Sequence, residues 1–327
     1  VRKLLKNEII EEEIISDLYD YIFKSSGKQI RARLSLLTSS IDKRKGVKRL
    51  RLAAIIELLH TATLVHDDVV DSSAIRRGNA SVNSIWTNSH SVLIGDYIYS
   101  KAFMLMVALN NMKILKELSD ATNDISKGEL IQLDSINNIK VDLPYLLKIS
   151  YFKTGRLFEA AAKSGAILAG GDREYIKHST NFSKNLGVLF QIKDDLLDYQ
   201  IESHSGKPNF QDIKERKITY PFYFAYTNAS SKEKIDLKDF LGCESINNKK
   251  LYELVLKLGG LEKTENLAIS YMKKAEISAY SIKNKIVKDE MLNLLDKSLN
   301  RKKWPLYLKI ITQKNPLLSV PMAIYLI

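Results

Sequence analysis

The sequence predicts an all-α fold, and three observations predict it. Helix breakers are scarce, with 14 glycines and 6 prolines in 327 residues, and Pro305, Pro316 and Pro321 all fall in the last 23. Apolar side chains recur at helical spacing over runs far longer than a strand. No stretch alternates apolar and polar residues with period two, and no strand–helix–strand rhythm appears. With 45% hydrophobic and 27% charged residues, the chain can bury a sizeable core.

Residues 4–24 mix apolar and charged side chains at helical spacing. Residues 47–71 place Leu52, Ala53, Ile55, Ile56, Leu58, Leu59, Ala62, Leu64 and Val65 on nearly every face, the mark of a buried helix. Residues 91–109 are equally apolar, but Asp96 and Lys101 make them a poor membrane span and suit them to a bundle centre or a subunit interface. Further helices are expected over 112–137, 142–169, 172–201, 217–229, 247–258, 260–283 and 285–299. No linker, composition shift or fixed-period repeat divides residues 1–300, which read as one large helical domain. Residues 301–327 differ: five Lys or Arg, no acid and three prolines. They read either as an end outside the core or as a membrane-surface contact.

The net charge of +12 is spread along the chain. It suits nucleic acid, an anionic membrane surface or a phosphorylated small substrate, and does not choose among them. Nothing resembles a nucleic-acid recognition module, so no nucleic-acid partner is expected. Cys243 is the only cysteine, which excludes an intramolecular disulfide and a thiolate metal cluster. Acids stand near the N-terminus where a signal peptide would carry an apolar run; the expected location is cytoplasmic.

Two short stretches carry the chemistry. Residues 66–71 read HDDVVD, and residues 193–198 read KDDLLD. On a helix Asp67 and Asp71 share one face, with Asp68 three residues from Asp71. Asp194, Asp195 and Asp198 repeat that spacing. One such motif reads equally well as a solvated helix end. Two, each closing an apolar helix, point to a bound divalent cation, because crowded carboxylates repel and burial raises their pKa values. Oxygen-only ligands favour Mg²⁺, whose coordination is usually completed by water and substrate phosphate. Bases stand nearby, with Lys28 and Arg31 before the first cluster and Arg76 and Arg77 after it. Adjacent arginines suit multidentate phosphate recognition. His60, on the same helix as Asp67, reads by default as a hydrogen-bonded core residue.

Together these stretches resemble the trans-polyprenyl diphosphate synthases. ELLHTATLVHDDVVDSSAIRRG (57–78) resembles their first aspartate-rich region and FQIKDDLLDY (190–199) their second. GKQIRARL (27–34), GELIQL (128–133), KTGRLFEAAAKSGAILAG (153–170), GK (206–207) and DIKERKITYP (212–221) follow the family order. The resemblance covers about residues 4–300 and is nearest to the bacterial octaprenyl type, which supplies quinone side chains. It implies a single bundle of the isoprenoid synthase type with a central substrate cavity.

The resemblance also implies roles. Asp67, Asp68, Asp71, Asp194, Asp195 and Asp198 would hold two to three Mg²⁺ ions. Arg76, Lys153, Thr154, Gln191, Lys207 and Lys217 would contact an allylic diphosphate such as farnesyl diphosphate. Lys28, Arg31, His60 and Arg77 would bind isopentenyl diphosphate, which overrides the default for His60. The chain departs from the family at Ser26, Gln29 and Ala32, where Gly, Arg and Pro are usual, and at Arg216, where Gly is usual. Homodimers are the family norm, and a transient membrane contact would help product release.

In the implied reaction the allylic diphosphate ionises and the double bond of isopentenyl diphosphate attacks the cation. Repetition lengthens the chain. Small residues at Ala62 and Thr63, one turn before Asp67, leave a tunnel open and imply a long product near C40, with Leu59, Met104 and Met106 as candidate floor residues. Alternatives are a medium- or short-chain synthase, a non-catalytic subunit of a heteromeric synthase and a terpene cyclase. The intact second DDxxD argues against the cyclase.

Overall fold

The computed structural model describes residues 11–24, 27–42, 46–76, 78–199, 210–243, 245 and 247–299. The tail 301–327, Arg77 and Lys207 lie outside them. Fifteen helices are present among the described residues. Helix α1 spans Glu13–Lys24, α2 Ile30–Thr38 and α3 Gly46–Val70. A two-residue hairpin, Ile75–Arg76 with Asn79–Ala80, follows; it is the only strand pairing among the described residues. Then come α4 (Val82–Ile85), α5 (Asn88–Ala108), α6 (Met112–Asp134) and α7 (Leu143–Ser150). A π turn (Tyr151–Gly155) leads into α8 (Arg156–Leu168), followed by α9 (Arg173–Asp198) and α10 (Gln211–Lys214). The chain closes with α11 (Tyr220–Asn228), α12 (Ser231–Asp239), α13 (Asn248–Lys257), α14 (Gly260–Tyr280) and α15 (Lys285–Leu299).

The expected long helices are present, and their ends have local causes. Side chains cap several N-termini: Thr87 accepts from the His90 amide, Asn111 from Ile114, Asp142 from Tyr145 and Asp172 from Tyr175. Such caps satisfy amides that have no partner within the helix. The expected helix 142–169 is interrupted by the π turn, and the expected helix 172–201 stops at Asp198. Helices α2, α4, α10 and α12 were not foreseen; each is short or carries little apolar periodicity.

Three apolar clusters form the core. The first joins α1, α3, α5, α6 and α8, around Leu52, Ile56, Leu59, Ile98, Leu118 and Ala161. The second joins α2, α8, α9, α14 and α15, around Leu34, Phe158, Phe182, Leu186, Ala275 and Met291. The third lies under α11 to α13, around Tyr199, Phe210, Phe222, Leu251 and Val255. Their side chains are almost wholly withdrawn from water, which is the main stabilising contribution to the fold. Helix α5 is the one described helix long and apolar enough to cross a membrane. Here it packs along α3, and its Asp96 meets His66 at 3.4 Å.

Antiparallel packing gives the bundle two ends. The Asp67 end of α3 and the Asp194 end of α9 are at one. The Lys193 ammonium reaches the carbonyl of Ser298, near the end of α15, at 3.4 Å and acts electrostatically on Glu265, near the start of α14. At the other end Tyr175 Oη donates to the Thr38 carbonyl (2.8 Å), Arg49 to the Leu36 carbonyl (2.8 Å) and Arg51 to the Ala108 carbonyl (3.1 Å). The first end is called proximal below, the second distal.

Glu265 is buried, and its Oε2 accepts no hydrogen bond from the described residues. Burial, then repulsion from Glu262, pushes its pKa from 4.5 up to about 7, with Lys193 partly offsetting. A raised acid pKa favours the folded state at low pH, and that contribution disappears as pH rises from 4.5 through 7. Glu265→Gln is therefore expected to raise Tm by about 2–4 °C above pH 7 and by less below pH 4.5, as measured by thermal denaturation at both. An equal shift at both pH values would contradict the assignment.

Candidate active site

The second acid cluster lines a cavity, and a lysine ties that cavity to the first. Asp71, at the end of α3, accepts from Lys217 Nζ at 3.0 Å. Lys217 lines a cavity of about 40 Å³ together with Gln132, Lys153, Gln191, Asp195 and Asp212. Lys153 Nζ donates to Glu129 Oε2 and Gln132 Oε1, both at 2.8 Å, and Lys153 and Glu129 both act on Asp67. Two lysines thus link the carboxylates at the end of α3 to Glu129 of α6 and to Glu215, which follows α10.

The electrostatics are those of a site short of positive charge. Burial, then repulsion from Glu129 and Asp71, pushes the Asp67 carboxyl up to about 7, although Lys153 and Arg76 oppose the shift. Burial, then Asp212, raises Asp195 well above the usual carboxylate range and brings Asp198 to about 7. Burial alone would lower the Lys217 pKa, but Asp71 and Glu215 hold it above the ordinary lysine range. Tyr99 is raised to about 12 by burial and by Asp67 and Glu129, which places it beside the same acids.

Not every aspartate faces the cavity in the same way. Asp68 is buried and holds Arg76 through Nε at 2.7 Å and Nη2 at 2.5 Å. Asp198 accepts the backbone amides of Gln211 (3.0 Å) and Asp212 (3.2 Å), fixing the turn that carries Lys217. Asp195 accepts from Gln191 Nε2 at 2.9 Å and from the Tyr220 amide at 3.4 Å. Thr154 Oγ1 donates to Gln191 Oε1 at 2.7 Å, so Thr154, Gln191 and Asp195 form one chain of hydrogen bonds. Asp194 lies on the exposed side of the same turn.

Local backbone features aim the lysines. The π turn at Tyr151–Gly155 adds a residue to the helical register, with Lys153 on the cavity wall and Thr154 on Gln191; π turns of this kind often occur at functional positions. Gly128 makes room for it: a Cβ there would stand 2.8 Å from the Lys153 amide nitrogen and 2.9 Å from Phe152 Cβ. Gly187 does the same from α9, where a Cβ would meet Gly155 Cα at 2.7 Å. Arg216, at one of the family departures, adopts φ 58°, and Gln29, at another, φ 50°. Glycine suits this left-handed region better, so the departure at Arg216, where glycine is usual, keeps the backbone shape at some conformational cost.

The remaining expected residues divide. Arg31 Nη1 donates to His60 Nε2 at 2.9 Å, which requires an unprotonated Nε2, and its guanidinium lies 4.5 Å from the centre of the Phe158 ring. Lys28 is exposed, immediately before α2. A second cavity, of about 80 Å³, opens on a neighbouring face of α3, lined by Gly27, Gln29, Glu57, Thr61, Asp68 and Arg76 among others. Thr63 is half-buried, and its hydroxyl donates to the His60 carbonyl at 2.7 Å. Ala62, Leu59 and Met106 are buried in the first core cluster. Met104 is 64% exposed on the outer face of α5, so it lines no interior path within this chain. Glu129, Gln132, Asp212 and Glu215 were not singled out from the sequence. Their signal was present, because all four lie in runs that match the family order.

The donor set fits Mg²⁺. Among the described residues no three His, Cys, Asp or Glu side chains form a ready-made cage. Mg²⁺ needs none, since it takes one or two carboxylates and completes its shell with water and phosphate. Crowded carboxylates whose protons are held up to about pH 7 are the arrangement that a hard cation would relieve.

Residues 12–258 match the family model for polyprenyl synthetase. The octaprenyl diphosphate synthase of Escherichia coli (strain K12) is 38% identical over 261 residues, covering 78% of this chain and 80% of that protein. The all-trans-nonaprenyl-diphosphate synthase (geranyl-diphosphate specific) of Rhodobacter capsulatus is 39% identical over 70% of this chain and 71% of that protein. The crystal structure of a decaprenyl diphosphate synthase from Rhodobacter capsulatus superposes with a TM-score of 0.86 at 31% identity, covering 92% of this chain and 94% of that one.

The tight packing at Gly128 gives a test of how the lysine is aimed. Gly128→Ala should destabilise the fold by about 1–3 kcal/mol, the usual range for overpacking, as read from the denaturant midpoint. Leu130→Ala, on the exposed side of the same helix, should stay within about 0.5 kcal/mol. Equal effects would show that the π turn is not held by this contact.

Proposed function

We propose, from the premise that this chain belongs to the polyprenyl synthetase family, that it condenses isopentenyl diphosphate repeatedly onto an allylic diphosphate such as farnesyl diphosphate. The chain is a trans-prenyltransferase of the long-chain type. The product near C40 and its use in quinone side chains are our reading. The observation that supports it is that Lys217 joins Asp71 of the first aspartate cluster to the cavity lined by Asp195 of the second, with Lys153 on the same wall.

Asp67 and Asp71 on one side and Asp194 on the other would hold Mg²⁺, with Asp195 and Asp198 behind them and Asp68 positioning Arg76. Bound there, Mg²⁺ would neutralise charge on the leaving diphosphate. Lys153 and Lys217 exchange their present carboxylate and amide partners for diphosphate oxygens. Thr154 and Gln191 orient the same group, and Lys207 joins them. The carbon–oxygen bond breaks with its electron pair on the diphosphate, leaving an allylic cation. Buried apolar walls exclude water from it. Lys28, Arg31, His60 and Arg77 hold isopentenyl diphosphate so that its double bond meets the cation. Attack leaves a tertiary cation on the isopentenyl unit, and a proton from the neighbouring CH2 passes to the released diphosphate as the new double bond forms.

The small side chains of Thr63 and Ala62 leave the growing tail room below Asp67, on the way to the distal end. The exposed apolar side chains Leu93, Met104 and Val107 on the outer face of α5 supply the interface of a homodimer.

Incubation with farnesyl diphosphate, labelled isopentenyl diphosphate and Mg²⁺, followed by product sizing, tests this reading. Asp67→Ala or Asp194→Ala should lower turnover by about two or more orders of magnitude; near-wild-type turnover would refute the assignment. Thr63→Phe should shorten the product while the protein stays folded. Ala62→Phe should do the same at a greater stability cost, about 1–3 kcal/mol, because Ala62 is fully buried. Unchanged product length in both folded variants would refute the tail path.

A further inference from the structure

We propose that the distal end of the bundle is a docking surface for an anionic lipid bilayer. Four connections lie there: α2 to α3, α5 to α6, α8 to α9 and α14 to α15. The carbonyl contacts of Tyr175, Arg49 and Arg51 join the first three. The fourth belongs with them because α14 and α15 start and finish, respectively, beside Lys193 at the proximal end.

Two features coincide at this end. The first is charge. Each connection is flanked by the last helical turn before it and the first turn after it. The described residues of the four, these turns included, carry seven Lys or Arg against three Asp or Glu. One of those acids, Asp172, is occupied in capping α9. The second feature is exposed aliphatic and aromatic surface on the same turns. Val47 is 71% exposed, Ile286 73% and Tyr280 55%, with Ile277 beside Tyr280 on the last turn of α14. Lys48 follows Val47 directly, and Lys285 precedes Ile286.

Single apolar side chains flanked by lysines on helix ends match a bilayer surface. The ammonium groups meet anionic headgroups while the apolar tips enter the acyl boundary. Nucleic acid would reward the charge but not the aliphatic tips. The purpose of such a surface rests on the long-chain reading above: a product with a long hydrocarbon tail is poorly soluble in water, and its tail points towards this end. The binding itself does not depend on that reading.

The test is flotation of the full chain with phosphatidylcholine vesicles, alone or mixed with phosphatidylglycerol. We expect flotation only with the mixed vesicles, weakened by salt. Lys48→Glu with Lys285→Glu should reduce the bound fraction about tenfold or more, and Val47→Ser with Ile286→Ser should also reduce it. Both pairs should keep the wild-type melting temperature. In vesicle-free buffer, condensation on a short allylic diphosphate should be unchanged.

Retained flotation in both pairs would overturn the proposal, as would equal flotation with the two vesicle types. Displacement from vesicles by duplex DNA, with the serine pair unaffected, would assign the surface to nucleic acid and overturn it as well. Flotation as expected from a protein that makes no prenyl product would leave the docking surface standing and remove the proposed function.

Discussion

Carboxylates that repel one another, and are bridged by two lysines, govern this structure. Asp67 and Asp71 come from α3, Glu129 from α6, Asp195 from α9 and Asp212 from α10, while Lys153 and Lys217 supply opposing charge. Left alone, Asp67 and Asp195 hold their protons more tightly than ordinary carboxylates, because burial and repulsion from neighbouring acids both disfavour ionisation. On the proposed reading, cations would offset the acids and a diphosphate would take over the lysines, so the charge imbalance would become a source of affinity.

The surrounding architecture holds the imbalance in place. Asp68 is committed to Arg76, and Asp198 to the amides of Gln211 and Asp212, so two members of the acid motifs shape the site. Gly128 and Gly187 let α6 and α9 close on the π turn that aims Lys153. The antiparallel bundle puts this polar chemistry at one end and a basic, partly apolar surface at the other, with a wholly buried core between them.

Much of this was legible in the sequence because it is periodic or local. The apolar run from Leu52 to Val65 announced a buried helix, and the repeated DDxxD announced two acid turns. The link between the first turn and the cavity beside the second runs through Lys217, which is 146 residues from its partner Asp71 and carries no local signal of that contact. The π turn was not legible either: residues 142–169 read as one continuous helix, and the interruption arises from packing against Gly128 and Gly187. Individual roles within DDxxD were equally hidden. Helical spacing puts Asp68 beside Asp71, but the hairpin that delivers Arg76 decides where its carboxylate goes. Met104 looked like a core residue because α5 is apolar all round, and only the packing shows that its side chain faces outward.

The decisive measurement is a crystal structure with Mg²⁺ and an allylic thiodiphosphate that cannot ionise. The account predicts one diphosphate bridged by metal to Asp67 and Asp71 on one side and to Asp194 on the other, with Lys153 and Lys217 moved onto its oxygens. A diphosphate held by only one acid cluster, with the other turned to solvent and free of metal, would contradict it.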